Sequence, residues 1–310
     1  MTHPMRFVGL SLALLVLPGW LGCSGTQLPD EDATSGTERS FGLLSVAYGH
    51  DWGDSGDDLV LTTTAQFVRY GAFDREQVSR LLALPLEPGR DLPGLDACRV
   101  YDLTVDLKAD GMVRSEEPGN VELLEAGDLR VQTQAGTVLL VPRHYPGLLP
   151  FISGVAYGEA QAMRVPEAGG VKASAGGGEA VGAFTVHAPS PPLPKLTRVG
   201  SVAPTATTLV SRTAELPLRW QAAEAASQSD VTYIELRFSR GRKDQALRCR
   251  VRDDGAFDVP AALMSSLAPD GDGKLTLELS RLRRTFFVAP GLEQGELRVA
   301  VRDRAPLQLQ

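Results

Sequence analysis

The sequence predicts a mainly β protein in which two antiparallel β-sandwich domains follow an N-terminal signal segment. Three observations support this fold class. Short runs of alternating apolar and polar residues recur along the chain, and 32 glycines and 21 prolines supply turns between them. Four prolines fall within the six residues Pro189–Pro194, which indicates a boundary between two domains. The first 24 residues have the order of an export signal.

The N-terminal segment places one positive charge, Arg6, before the apolar run Phe7–Leu17. Residues 1–22 are therefore predicted to be a lipoprotein signal peptide, cleaved after Gly22, with a lipid attached to Cys23. The end of this segment resembles a lipobox, except that Trp20 stands where that motif usually has leucine. The alternatives are ordinary signal cleavage nearby or a short uncleaved anchor, although the apolar run is shorter than the roughly 20 residues of a membrane-spanning helix. By analogy with Gram-negative lipoproteins, Ser24 favours the outer membrane.

The first domain is predicted to span residues 41–188. It follows residues 23–40, which are polar and are expected to form a disordered tether. One helix is expected from Asp74 to about Leu84, because Asp74 and Gln77 have capping-box spacing and Pro85 ends the pattern. Residues 134–136 indicate a hairpin turn. The predicted strands are Phe41–Tyr48, Leu59–Tyr70, Arg99–Leu107, Leu129–Val131, Val138–Val141, Val155–Val165 and Ala180–Val186.

The second domain is predicted to span residues 196–310, after a Pro-rich linker at 189–195 that favours an extended conformation. The spacing of its strands fits an antiparallel sandwich of immunoglobulin or fibronectin type, with Trp220 as a core residue. Pro260 can start a short helix that runs to Leu267. The predicted strands are Leu216–Trp220, Ile234–Phe238, Ala246–Arg252, Leu275–Leu279, Thr285–Val288 and Leu297–Val301.

The chain has three cysteines, Cys23, Cys98 and Cys249. If Cys23 carries lipid, the other two form an even number in an oxidising compartment, and a disulfide between them would link the two predicted domains. The alternative is two separate thiols. Cys249 alternates with charged neighbours, so it is expected to face a core as a small apolar residue.

The charges are unequally distributed along the chain. Residues 24–195 contain 13 basic and 24 acidic residues, whereas residues 196–310 contain 17 basic and 14 acidic residues. The acidic part is expected to repel nucleic acid and anionic membranes, and the basic part is too weakly charged to indicate nucleic-acid binding. Nucleic acid is therefore not an expected partner.

The acidic segment from His50 to Asp58 is a candidate cation site. Asp51, Asp54, Asp57 and Asp58 could supply oxygen ligands to calcium from a glycine-containing loop. Their spacing matches no standard calcium loop, and a solvated acidic loop is the alternative. Apart from this candidate, the sequence indicates no cofactor.

A basic ladder on one predicted strand is the strongest candidate interaction surface. Arg248, Arg250 and Arg252 share a face at the strand period of two, and Arg237, Arg242 and Lys243 are expected nearby across the hairpin. This cluster could bind an envelope polyanion, such as a phosphate or an acidic polysaccharide. It could also be a solvated face that discourages edge pairing, or a surface that docks against the acidic first domain.

Three parts of the chain resemble uncharacterised predicted lipoproteins of the myxobacterial type. These are Cys23 with its signal, the segment Tyr157–Pro189 with its Gly-Gly turn, and the segment Cys249–Pro260. The resemblance implies a fold and a location in the cell envelope, and no activity.

The motifs of serine hydrolases, zinc proteases and phosphate-binding loops are missing from the sequence. We therefore expect a lipid-anchored envelope protein that serves as a non-catalytic binding, adhesive or structural module, with a protein or a polyanion as partner. The alternative is a hydrolase of envelope polymers that uses paired carboxylates. A solute-binding role is weakened by the lack of a βαβ pattern.

The lipid anchor is tested by the intact mass of the membrane-extracted protein. We expect a diacyl or triacyl increment on a chain that begins at Cys23. We expect Cys23→Ser to abolish it, because the diacylglyceryl group is bonded to that sulfur and a third acyl chain can join only the amine that cleavage then exposes. An unmodified mass for the wild-type chain would mean that Trp20 prevents processing and that the anchor prediction is wrong.

Overall fold

A computed structural model describes residues 38–52, 60–103, 120–144, 152–162, 169–205, 208–224, 229–241, 243–267 and 274–310. Gly22, Cys23 and the rest of the predicted signal and tether up to residue 37 lie outside the described residues. The described elements before the Pro-rich segment are β1 (Arg39–Asp51), β2 (Val60–Gly71), α1 (Arg75–Leu81), α2 (Pro88–Asp91), β3 (Ala97–Asp102), β4 (Asn120–Leu123), β5 (Leu129–Thr133), β6 (Gly136–Leu140), β7 (Arg143–His144), β8 (Ile152–Ala162), β9 (Gly170–Ala175) and β10 (Phe184–Pro189).

The elements after that segment are β11 (Leu196–Val199), β12 (Thr208–Val210), β13 (Leu216–Trp220), β14 (Val231–Arg240), β15 (Lys243–Val251), β16 (Ala256–Val259), α3 (Ala261–Leu267), β17 (Lys274–Phe287) and β18 (Gln294–Leu309). This preponderance of strands confirms the prediction of a mainly β protein. The predicted helix after Asp74 is confirmed as α1, and its capping box is present. The helix after Pro260 is confirmed as α3.

Ten strands of the described chain form one large sheet in the order β15-β14-β17-β18-β1-β2-β4-β8-β7, with β12 also paired to β18. Its central pairing is parallel and joins the first and the last strand of the described residues, from Phe41 beside Gln294 to Asp51 beside Arg304. Residues 36–310 form one compact unit. The structure thus differs from the predicted pair of domains at 41–188 and 196–310, because the first strand of one lies beside the last strand of the other.

Two smaller sheets cover one face of the large sheet and enclose two cores. The sheet β10-β9-β5-β6 contributes to the first core, and the sheet β11-β13-β16 contributes to the second. Strand β18 supplies Leu297 and Val299 to the first core and Ala305 and Leu307 to the second. All four have the same strand parity and therefore face the same side of the sheet. Long strands shared by both cores replace the expected division at the linker.

Strand β17 is continuous where the sequence predicts two strands, Leu275–Leu279 and Thr285–Val288. The charged residues between these apolar runs stay in the strand because their charges are satisfied. Arg281 is only 2% exposed, and its guanidinium donates to both oxygens of Asp253 at 2.7 and 2.9 Å. Buried charge is tolerated when it is paired and hydrogen-bonded in this way.

The Pro-rich segment is bound to the large sheet at several backbone positions. Arg281 Nη1 donates to the carbonyl oxygens of Pro192 and Leu193, both at 3.2 Å, and Arg283 Nη1 donates to that of Pro189 at 3.3 Å. The backbone N–H of Leu196 donates to Asp303 Oδ2 at 2.6 Å. These contacts fix the segment that the sequence predicts to be a linker.

A disulfide joins Cys98 to Cys249 across a sequence separation of 151 residues. It holds β3 against β15, and the backbone adds two hydrogen bonds, from Asp96 N to Arg250 O at 2.7 Å and from Leu103 N to Asp244 O at 2.8 Å. The structure therefore contains the disulfide and not two separate thiols, and β3 covers the outer edge of β15.

Removing this bridge is expected to destabilise the protein. The double substitution Cys98→Ala and Cys249→Ala should lower the free energy of unfolding by about 2–5 kcal/mol, because the unfolded chain gains the entropy of a long open loop. Urea denaturation measures the change. Reduction of the wild-type protein should reproduce it, and an unchanged midpoint after verified reduction would contradict the prediction.

Candidate binding cavity

A cavity of about 440 Å³ lies on the side of the large sheet opposite the second core. Core residues such as Leu236 and Leu277 alternate along their strands with cavity residues such as Arg237 and Glu278, because successive strand residues face opposite sides. The lining residues come from β14, β17, β18 and the end of β1. They are Asp51, Glu235, Arg237, Ser239, Lys274, Thr276, Glu278, Arg304 and Pro306.

A row of five charged residues crosses five neighbouring strands at the cavity. In register, Arg248 lies opposite Glu235, Glu235 opposite Glu278, Glu278 opposite Arg304, and Arg304 opposite Asp51. Arg248 Nε lies 2.7 Å from Glu235 Oε2, and Arg304 Nη2 lies 2.8 Å from Glu278 Oε2. Arg304 Nη1 is 3.8 Å from Asp51 Oδ2. The two opposed glutamates are therefore flanked by guanidinium groups on both sides.

The protonation of Glu278 follows from these neighbours. Burial acts to raise the pKa of its carboxyl, but the charges of Arg302 and Arg304, with hydrogen bonds from Arg304 and Ser280, lower the pKa below its ordinary value. Arg302 Nη1 lies 3.7 Å from Glu278 Oε2, and Ser280 Oγ donates to Oε1 at 2.8 Å. Glu278 is consequently a carboxylate at neutral pH.

The other half of the cavity carries positive charge. Arg237 Nε donates to Asp244 Oδ1 at 2.9 Å, and its Nη2 donates to Oδ2. The hydrogen bond from Arg237 lowers the pKa of Asp244. Lys274 is exposed, with Thr276 two residues further along the same strand face. The cavity thus presents ammonium and guanidinium groups beside carboxylates.

The opposed glutamates are the paired carboxylates of the described cavity. A hydrolase that uses paired carboxylates needs one carboxyl group that stays protonated and acts as an acid, and a second that is ionised. Glu278 is ionised, and Glu235 is paired with Arg248, so both are bound to guanidinium groups.

The candidate calcium ligands are only partly described. Asp51 lies in the cavity and pairs with Arg304, whereas Asp54, Asp57 and Asp58 lie outside the described residues. Among the residues that the structure describes, no group of three or more His, Cys, Asp and Glu side chains could hold a metal ion. The calcium site therefore stays a prediction.

Two arginines of the basic ladder, Arg248 and Arg252, are paired with carboxylates of this chain. Arg248 pairs with Glu235 and lies 5.2 Å from the ring centre of Tyr101, and Arg252 Nε is 2.9 Å from Asp96 Oδ2. Arg250 shares their face and binds the same segment through its backbone oxygen. The side chains of Arg242 and Lys243 lie outside the description. Arg248 thus contacts Tyr101, and Arg252 contacts Asp96, both within the predicted acidic first domain, and the three interpretations of the cluster stay predictions.

A buried aspartate, Asp303, lies within the central strand β18 and is not among the residues that the sequence pattern singled out. Asp303 accepts from Trp52 Nε1 at 2.8 Å, and His50 Nδ1 lies 3.5 Å from the same oxygen, Oδ1. Burial raises the pKa of Asp303. The sequence pattern could have predicted its burial, because Asp303 occupies the same alternate positions as the core residues Val299, Val301, Ala305 and Leu307.

No protein-family model matches the chain, and no curated protein matches it. None of the helices in the described ranges has the length and apolar character that a membrane crossing requires.

The cavity glutamate is expected to make stability depend on pH. Because the pKa of Glu278 is lowered on folding, its ionised form contributes stability above the unfolded pKa, near 4.5, and this contribution is lost as the pH falls through the folded pKa. Glu278→Gln should reduce the free energy of unfolding by about 1–3 kcal/mol at neutral pH. The difference from wild type should shrink in acid.

Urea denaturation at neutral and acid pH measures this effect. The matched control is Glu293→Gln, since Glu293 is exposed at the other end of β18 and should show no comparable loss. An equal loss at both pH values in Glu278→Gln would contradict the electrostatic explanation.

Proposed function

We propose that the protein is a lipid-anchored component of the cell envelope whose cavity binds a polar ligand and does not transform it. The anchor is supported by the charged, apolar and Gly22-Cys23 order of the N-terminal segment, with Ser24 favouring the outer membrane. The disulfide between Cys98 and Cys249 suits an oxidising compartment. The resemblance to predicted lipoproteins points to the same location.

We also propose that each core belongs to a sandwich of immunoglobulin or fibronectin type.

The observation that carries the binding role is the pairing of the cavity's charges. Glu235 and Glu278 are each held by an arginine, while Lys274 is exposed. A cavity of about 440 Å³ accommodates a small polar group or a short segment of a polymer. Because both signs of charge line it, the complementary ligand carries amino and carboxyl groups, as the peptides of a cell-wall polymer do.

The second candidate is a hydrolase that uses Glu235 and Glu278. It is favoured by their direct opposition across β14 and β17, since directly opposed residues have Cβ atoms about 5 Å apart and retaining glycosidases keep their carboxyls about 5 Å apart. Such a hydrolase also needs a protonated carboxyl group as its acid. The pKa of Glu278 is lowered, and Glu235 is bound by Arg248, so neither contact pattern supports that role.

Cosedimentation with purified cell-wall sacculi tests the binding role. Lys274→Ala is expected to weaken cosedimentation by about tenfold, which corresponds to roughly 1.4 kcal/mol for one lost ion pair or charged hydrogen bond. Lys195→Ala is the matched control, because Lys195 is also exposed and does not line the cavity. Equal binding by the two variants would contradict the assignment of the cavity.

The same incubation separates the two candidates. We expect no release of soluble fragments or reducing ends from the sacculi by the wild-type protein. Time-dependent release that Glu278→Gln abolishes would replace the binding role with the hydrolase.

A further inference from the structure

Two apolar side chains are exposed where β17 ends. Val288 is 91% exposed and Phe286 is 54% exposed. Phe287 between them packs against the first core, where its ring stacks on Phe184 at 4.5 Å between centroids. Because neighbouring residues on an extended chain face opposite sides, the burial of Phe287 turns Phe286 and Val288 outward.

The chain enters the described fold at the same end. The backbone N–H of Glu293, in the turn between β17 and β18, donates to Ser40 O at 3.3 Å and to Ser40 Oγ at 3.2 Å. Phe41 pairs with Gln294 at the start of β18. The first described residue, Glu38, is thus close to the turn that follows Val288.

The length of chain before Glu38 limits its distance from a lipid on Cys23. Fourteen residues lie between the two positions. A chain of that length has a mean span of about 20 Å if it behaves as the random coil that its polar composition predicts. The other end of β18 is much further away. Leu209, which is 57% exposed, lies beside Gln308, about 45 Å along the strand from Gln294.

We propose that the turn between β17 and β18 faces the bilayer to which the protein is anchored, and that Val288 and Phe286 insert into its interface. This inference rests on the lipid anchor of the proposed function. Apolar side chains at a membrane-facing end gain free energy by entering the boundary between headgroups and acyl chains. Glu38, Arg39 and Glu293 are exposed at this end, so its charges give no net attraction to anionic lipid. The contact therefore depends on the apolar side chains and suits zwitterionic lipid.

Quenching of an added tryptophan by brominated lipid tests the orientation. The full lipidated protein is reconstituted into phosphatidylcholine vesicles with brominated acyl chains. The lipidated chain begins at Cys23 and contains Trp52 and Trp220, whose emission is the background to be subtracted. Val288→Trp is expected to show a blue-shifted added emission that is lost in brominated vesicles. Leu209→Trp is the matched control, exposed at the far end of β18, and its added emission should persist.

Three other results would overturn the proposed membrane contact, and each has a different meaning. If the protein floats with the vesicles and the Val288→Trp emission persists, the anchor stands and this contact is wrong. If both variants are quenched equally, the protein has no preferred end towards the membrane. A protein that remains in solution would remove both the contact and the anchor of the proposed function.

Discussion

The parallel pairing of β1 with β18 determines the arrangement of the rest of the molecule. It brings residues near the start of the fold beside residues near its end over eleven pairs. The strands approach closely at Gly49, where an added Cβ would lie 1.8 Å from the carbonyl oxygen of Arg302. No larger residue fits there without displacing the backbone. The pairing also places Asp51 beside Arg304, which completes the charged row of the cavity, and brings His50 and Trp52 to Asp303.

Buried arginines then fix the segments that cross the sheet. Arg298 is 2% exposed, and its guanidinium donates to Glu296 at 2.7 Å and to the carbonyl oxygens of Pro85 and Leu86 at 2.9 and 2.8 Å. Arg281 binds the Pro-rich segment in the same manner. A buried ion pair adds little net stability but tolerates few alternative arrangements. These two arginines therefore determine where the connecting segments lie.

Local patterns in the sequence predicted the local elements. The capping box of Asp74 and Gln77, the hairpin between β5 and β6, and the helix after Pro260 all depend on residues close together in the chain. The pairing of β1 with β18 could not be predicted in that way, because its partners are about 250 residues apart and neither strand specifies the other. Two sandwich domains were expected for this reason, where the structure has one shared sheet.

The candidate site shows the same limit. Strand period two placed Arg248, Arg250 and Arg252 on one face, but it could not supply Asp96 and Tyr101, which come from the other half of the chain. Glu235 and Glu278 are 43 positions apart in the sequence, and only the register of β14 with β17 opposes them. Asp303 differs from these, since a charged residue at an inward position of an alternating strand is visible without a structure.

The geometry of β18 connects the cavity with the proposed membrane contact. Gln294 begins the strand beside the turn that carries the exposed Val288, and Arg304 lies ten residues further along. At about 3.3 Å per residue, the cavity stands roughly 33 Å from that turn. If the turn lies on the bilayer, lipid headgroups cannot reach the cavity, whereas a polymer held away from the membrane can. The orientation therefore favours a cell-wall ligand over a membrane lipid.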